Sequence, residues 1–456
     1  MNPSSPGPAA TGILAAALAE ALPRLCAPGA APDPRLLALI RVLAAALESG
    51  DLELDLAAEA PEGLDPQDWP QAYRAALEHS ALVVQADALE QAPQAPLVLT
   101  GERLRWRRWH LQLEHTLSEL VRRAREPLAQ GPPPEALEAA RRQTAAAGLD
   151  ASQQQAVVAA LSQRLLLLSG GPGTGKTSTV VQLLAALLEL QPQLRLQLAA
   201  PTGKAAARLR EAIERDGRRL AAQLAGPLLA APCSTLHRLL ESNGERFGRH
   251  RQRPLDLDLL VVDELSMVDL PLMAALLEAL PAACRLVLVG DPAQLPPVGP
   301  GPVLQELMQP PWLEQVGPAA VELRTTYRNA GAIAAVATEL RHAGDAPLQR
   351  LTARLQQLDP GGNLHWRQAS ARQPPATAIG ALRQHQQRLG ELAAELAAAL
   401  PRGSGELPPE EAVEPLLSEL EGCVALTPVR QGAWGVDGLH RQLLGEAAGR
   451  SIAHWP

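Results

Sequence analysis

Aromatic residues make up only 2% of this 456-residue chain, which has seven Trp, two Tyr and one Phe. So sparse a set leaves core packing to Leu and Ala and offers few rings on which bases can stack. Cysteine is just as scarce. Cys26, Cys233, Cys284 and Cys423 stand alone, with no C-x-x-C pair and no neighbouring His cluster. That argues against a disulfide framework or a zinc module and suits a reducing cytoplasm, the expected location. Positive charge is not in excess: the net charge is −8, so any contact with nucleic acid must be local. Nor is there a long apolar run. The stretch from Ile13 to Leu22 contains Glu20, lacks a basic flank and is too short to span a bilayer, so no membrane partner is expected.

Apolar residues are nevertheless 46% of the chain, ample for real cores, and the length predicts roughly three domains of about 150 residues each. Residues 1–126 carry apolar positions at helical spacing, clearest from Arg35 to Leu47 and from Trp109 to Arg122. The proline-rich stretch 127–136 reads as a linker. Beyond it, short apolar runs alternate with helical segments, the mark of an α/β protein with a parallel sheet. The runs are Arg164 to Leu168, Leu194 to Ala199, Leu259 to Val262, Leu286 to Val289 and Ala320 to Leu323. Past about residue 345 the chain turns Gln-, Ala- and Pro-rich, with one expected strand, Cys423 to Leu426.

One octapeptide decides the chemistry. Gly170, Gly171, Pro172, Gly173, Thr174, Gly175, Lys176 and Thr177 fit the phosphate-loop pattern G-x-x-x-x-G-K-[ST], between an apolar run and a helical stretch opening at Ser178. The glycines let main-chain N–H groups converge on phosphate oxygens, and the helix adds its positive end. Lys176 can reach the outer phosphates and the Thr177 hydroxyl can ligate Mg2+, so ATP and Mg2+ are the expected cofactors. A second motif is an apolar strand ending in Asp263 and Glu264. There Asp263 would hold Mg2+ and Glu264 would orient and deprotonate the attacking water, although a solvated strand end has the same look. A third apolar strand delivers Gly290, Asp291 and, between prolines, Gln294. That neutral amide can contact the γ-phosphate or the water.

These motifs occur in order with Ala200-Pro201-Thr202-Gly203-Lys204 and Ser234-Thr235-Leu236-His237. The set resembles superfamily 1 DNA helicases, and within them the RecD family, the alpha subunit of exodeoxyribonuclease V (RecBCD). Leu97 to Trp109 is similar to the strand-and-helix piece that closes the family's N-terminal domain. Arg430 to Val436 is similar to its R-x-G-x-x-G-V segment. The likeness is good over residues 95–345 and looser elsewhere.

The resemblance implies a RecA-like phosphate-loop ATPase fold with a mainly helical N-terminal docking domain. The expected divisions are 1–126 for docking, 127–136 as linker, 137–320 for the first ATPase domain and 321–456 for the start of a second. It implies that Gln153, seventeen positions before Gly170, reads adenine, with Gln154 and Gln155 as rivals. Pro201, Thr202, Gly203, Lys204, Thr235 and His237 would touch single-stranded DNA, the alternative being plain helix caps. Arg328 would reach the γ-phosphate as an arginine finger, with Arg324 as its rival. Arg103, Arg105, Arg107 and Arg108, interleaved with Trp106 and Trp109, read as a solvated face over core tryptophans or as a DNA or partner surface. No acid cluster resembles a nuclease site.

The function so implied is that of an ATP-dependent 5′-to-3′ helicase subunit. It would act on single strands at duplex ends with RecB-like and RecC-like subunits in double-strand break repair and recombination. The alternatives are a stand-alone RecD-like helicase and a non-enzymatic, nucleotide-binding assembly fragment. Two C-terminal helicase motifs do not occur before Pro456, which leads us to expect a truncated second motor domain.

Overall fold

In this computed structural model the described residues are 8–26, 33–128, 130–244, 246–327, 331–341, 347–359, 361–370, 372–399, 408–427 and 429–444. They fall into two compact units, residues 1–330 and 331–456.

The first unit opens with helices α1 (Pro8–Cys26) and α2 (Pro34–Glu48). Asp33 caps α2 by accepting from the Arg35 N–H at 2.8 Å, and Pro34 fits its first turn. Leu36, Leu39, Ile40 and Leu43 recur at helical spacing and are buried. Next come β1 (Glu53–Asp55), α3 (Gln71–Glu78), β2 (Val83–Gln85), β3 (Leu97–Thr100) and β4 (Arg103–Trp106), forming a four-stranded sheet of order β1-β4-β3-β2. Gly101, at φ +59°, closes the β3–β4 hairpin. The N-terminal region is thus helical with a small added sheet. Its strands are three or four residues long, too short to announce themselves by alternation.

Helix α4 (Arg107–Arg125) then leaves that sheet and packs on the domain built around the parallel sheet. That domain runs α5 (Pro134–Ala146), α6 (Ala151–Ser162), β5 (Leu165–Gly170), α7 (Lys176–Leu190), β6 (Leu196–Ala200) and α8 (Gly203–Gly217). It continues with α9 (Ala222–Ala230), β7 (Cys233–Thr235), α10 (Leu236–Leu239), β8 (Leu259–Val262), α11 (Leu270–Ala279), β9 (Arg285–Gly290), α12 (Val303–Leu307), α13 (Pro310–Val316) and β10 (Ala320–Leu323). All six strands β5–β10 are parallel, in the order β10-β5-β9-β8-β6-β7. This is the RecA-like phosphate-loop sheet, buried on both faces as parallel sheets must be. On β5, Leu165 and Leu167 enter one core with α4 and α11, while Leu166 and Leu168 enter the other with α6 and α7.

Two expectations are corrected here. The boundary at residue 320 cuts a strand: Val321 and Leu323 of β10 are buried against the first sheet, with Val321 opposite Leu168. The segment Cys423 to Leu426 is not a strand. Cys423 is extended, but Val424 and Leu426 are exposed and pair with nothing among the described residues. An extended segment becomes a strand only against another, and the described part of that unit is helical. Its helices are α14 (Ala332–Arg341), α15 (Pro347–Gln356), α16 (Ala376–Ala399), α17 (Glu410–Gly422) and α18 (Val436–Leu444). Among the described residues, no helix is long and apolar enough to cross a membrane.

Candidate active site

Because the six strands run the same way, their carboxyl ends line up along one edge, and each delivers a loop there. Beginning from β10, the edge carries Tyr327, the phosphate loop after β5, then Asp291 and Gln294 after β9. Asp263 and Glu264 follow after β8, Pro201–Lys204 after β6, and Thr235 ends β7. Neighbouring strands lie about 4.8 Å apart, so motifs up to 124 residues apart in sequence share one cleft edge.

The phosphate loop turns through Gly173 at φ +77° and Gly175 at φ +81°, conformations that favour glycine. Thr174 is buried and its hydroxyl donates to the Gly171 carbonyl at 2.8 Å. The Lys176 ammonium donates to the Gly170 and Gly171 carbonyls at 2.7 and 3.0 Å, and so lies folded along the loop it would serve. Thr177 sits in the first turn of α7, and Ser178 reaches Asp216 at 3.4 Å.

Gln153 is buried against this loop and donates to the Thr174 carbonyl at 3.4 Å. Its carbonyl also accepts from the Asp150 N–H, completing a capping box that opens α6. Gln154 instead turns away to the Leu149 carbonyl, so the neighbour of the loop is Gln153. Asp150 has a further role that its sequence position did not announce. Burial opposes its charge, but hydrogen bonds from Ser152, the Gln153 N–H, Thr325 and Tyr327 outweigh burial and hold it at about 2. Tyr327, one of only two tyrosines, also donates its N–H to the Gly173 carbonyl at 2.8 Å.

Asp263 is the electrostatic centre of the edge. Burial, with a smaller contribution from Glu264, pushes its carboxyl up to about 6, against the Glu264 N–H and the Lys176 charge. The Glu264 N–H donates to the Asp263 carboxylate at 2.9 Å, and Glu264 itself adopts the left-handed region, φ +54°. A non-glycine residue held there marks a turn shaped for something other than comfort. Gln294 accepts from the Ser266 hydroxyl at 3.2 Å. Ser266 is buried and links the acid-bearing turn to the glutamine loop; only its place two residues beyond Glu264 hinted at it.

Thr202 and Thr235 both act as helix caps, accepting from the Ala205 and Arg238 N–H groups at 3.2 Å. Gly203, Lys204 and His237 are exposed beside them, and Pro201 is half-buried. The His237 ring lies 6.3 Å from that of Phe247. Arg328 lies outside the described residues. Its rival Arg324 is exposed and paired with Glu322 at 2.9 Å. The arginines of the 103–108 run have structural partners. Arg105 is buried between Glu53 and Glu306, Arg103 pairs with Glu53, Arg107 binds the Leu89 and Ala92 carbonyls, and Arg108 covers the Trp109 ring.

Residues 153–300 match a family model described as an AAA domain. RecBCD enzyme subunit RecD of Mycolicibacterium smegmatis is 47% identical over 187 residues, 39% of this chain and 33% of that protein. RecD of Haemophilus influenzae is 47% identical over 152 residues, 31% of this chain and 23% of that protein. The ATP-dependent RecD2 DNA helicase of Deinococcus radiodurans is 38% identical over 202 residues, covering 42% and 24%. The match to the first of these relatives thus spans about a third of its length. A Pif1 helicase from Bacteroides, solved with ADP-AlF3 and ssDNA, overlaps 60% of each chain at 15% identity and TM-score 0.27. That overlap is too low to bear on the fold, which stands on the strand order above. Over these matched stretches the chain is similar to RecD proteins, and the strand ends around its phosphate loop have the arrangement of a nucleotide-binding cleft.

Proposed function

We propose that the chain is an ATP-driven helicase subunit that moves 5′ to 3′ along single-stranded DNA. The observation carrying this reading is the convergence of the phosphate loop, Asp263–Glu264 and Gln294 on adjacent strand ends of one parallel sheet. Lys176 and the loop N–H groups would hold the triphosphate, and Gln153 the adenine. The donors fit Mg2+: Asp263 is a buried carboxylate whose charge a cation would stabilise, and Thr177 adds a hydroxyl oxygen at the helix start. Mg2+, when bound, would neutralise charge on the phosphates. Glu264 would take the proton of the attacking water, Gln294 would sense its position through a loop tied to Ser266, and Arg328 would stabilise charge as hydrolysis proceeds.

Pro201–Lys204, Thr235 and His237 would contact DNA from β6 and β7, beyond the acid pair on the side away from the phosphate loop. The relatives are named as subunits of a RecBCD enzyme; on the resemblance to that family, residues 1–126 would dock on RecB-like and RecC-like subunits, and the complex would act at DNA breaks in the cytoplasm. Residues beyond 330 would belong to a second motor domain.

The test is ATP turnover with and without single-stranded DNA, beside Lys176→Ala and Glu264→Gln. The expected outcome is DNA-stimulated turnover in the unsubstituted chain, abolished by Lys176→Ala. Glu264→Gln should keep MgATP affinity while slowing turnover about a hundredfold or more. Turnover equal in all three proteins overturns the reading, and nucleotide binding without any turnover leaves the assembly-fragment alternative.

A further inference from the structure

The loop that carries Gln294 is held from behind by the N-terminal region. It runs from Asp291 at the end of β9 to α12. Gly301 donates its N–H to the Gly50 carbonyl at 3.0 Å, across 251 residues of sequence. Gly50 stands at φ +96°, and a Cβ there would lie 3.4 Å from the Val298 and Gly299 carbonyls, so the α2–β1 turn lies flat on the loop. A Cβ on Gly301 would meet Leu52 at 2.7 Å. Leu52 is 4% exposed, and although it precedes β1 it joins the ATPase core rather than the N-terminal one.

A second tie runs through charge. Arg105 of β4, 5% exposed, donates to Glu53 at 2.7 Å and to Glu306 of α12 at 3.3 Å. Leu304 on the same short helix packs against Gly290, where a Cβ would approach it to 2.8 Å. Thus α12 presses on the strand end from which Asp291 and Gln294 spring. The face of the loop toward the cleft meets Ser266, and its back meets Gly50, Leu52 and, through α12, Arg105.

We propose that Leu52, Arg105 and Glu306 are positioning residues that fix the Gln294 loop, so that the N-terminal region sets the rate of ATP hydrolysis without setting nucleotide affinity. This rests on the ATPase reading above. The logic is geometric. Phosphate and metal would be gripped by groups at the ends of β5 and β8, whereas the N-terminal turn hydrogen-bonds the loop after β9. The loop after β9 leans on that turn, and a shift of about 1 Å in a catalytic group can cost up to a hundredfold in rate. A partner bound to the N-terminal region would then act on turnover by moving or steadying the turn.

The experiment uses the full chain and compares Leu52→Ala and Glu306→Gln, each alone and combined with Gln294→Ala. The expected result is a fall of about tenfold in DNA-stimulated kcat for each single variant, with the Kd for a fluorescent ATP analogue plus Mg2+ unchanged within about twofold. In the Gln294→Ala background neither substitution should lower kcat further, because the loop has no sensor left to misplace. Glu306→Gln keeps an acceptor for Arg105, so it tests the idea even if Leu52→Ala fails to fold. Unchanged kcat, equal losses in both backgrounds, or a parallel loss of nucleotide affinity overturns the proposal. If the unsubstituted chain binds MgATP without hydrolysing it, the ATPase reading itself falls and takes this inference with it.

Discussion

Asp263 sets burial against charge, and two measurements follow from that conflict. Its carboxyl titrates near 6 in the fold, above the ordinary value of 3.8. Between about pH 4 and 6 the folded state therefore holds a proton that the unfolded chain has released, so stability falls as pH rises through that window and then levels. At neutral pH the ionised group costs about 3 kcal/mol in the absence of a cation. Asp263→Asn should accordingly raise the metal-free melting temperature by several degrees while abolishing turnover; a lowered melting temperature would refute the account. The same proton must leave before a cation can be ligated, so MgATP affinity should weaken as pH falls from 7.5 to 5.5. Titrating a fluorescent nucleotide at the two pH values checks this, and a pH-independent Kd contradicts it.

At the scale of the element, helix α6 and the phosphate loop form one device. Asp150 begins the helix, orders Gln153 against the loop, and receives the Tyr327 hydroxyl at 2.9 Å. Asp150→Ala should lose about 1–2 kcal/mol in denaturant unfolding, whereas Asp150→Asn, still a good cap, should lose less. Because Asp150 is held at about 2, below its ordinary 3.8, its contribution is present above about pH 4 and is lost as pH falls toward 2. Gly175→Ala attacks the other half of the device. The added Cβ would lie 2.6 Å from the Gln153 amide, on a backbone at φ +81°. Nucleotide affinity should drop at least tenfold with the fold intact by circular dichroism; retained affinity would show that the contact does not matter.

Across the whole first unit, the N-terminal region and the six-stranded parallel sheet share a core. Leu113, Leu117 and Leu120 of α4 are at most 1% exposed and pack with β5, β9 and α11 rather than only with their own sheet. Arg123, 2% exposed, ties α4 to the Cys284 carbonyl at 3.2 Å, and Arg164 reaches back to Glu126 at 3.1 Å. Residues 1–330 should therefore unfold in one calorimetric transition, and Leu117→Ala should cost about 2–5 kcal/mol of it. Two separate transitions, with Leu117→Ala moving only the first, would mean that the region docks without sharing the core.

The phosphate loop, the acid pair and Gln294 were legible because backbone chemistry and apolar strands fix them locally, and all five expected strands of the parallel sheet extend no more than two residues past their expected ends. The strand β7, three residues long, and the strands of the N-terminal sheet left no such trace. Ser266, Asp150 and Tyr327 went unremarked because a hydrogen bond across 28 or 177 residues has no period to betray it. The arginines at 103, 105 and 107 offered two readings in sequence, and only the structure revealed their partners on β1, on α12 and among nearby carbonyls. What the chain alone determined is the chemistry its residue types can perform and the strands on which they stand, since both depend on near neighbours. Which strand ends adjoin, which carboxylate loses its water, and which turn packs behind the Gln294 loop were decided by tertiary packing, because burial and long-range contact exist only once the sheet has closed.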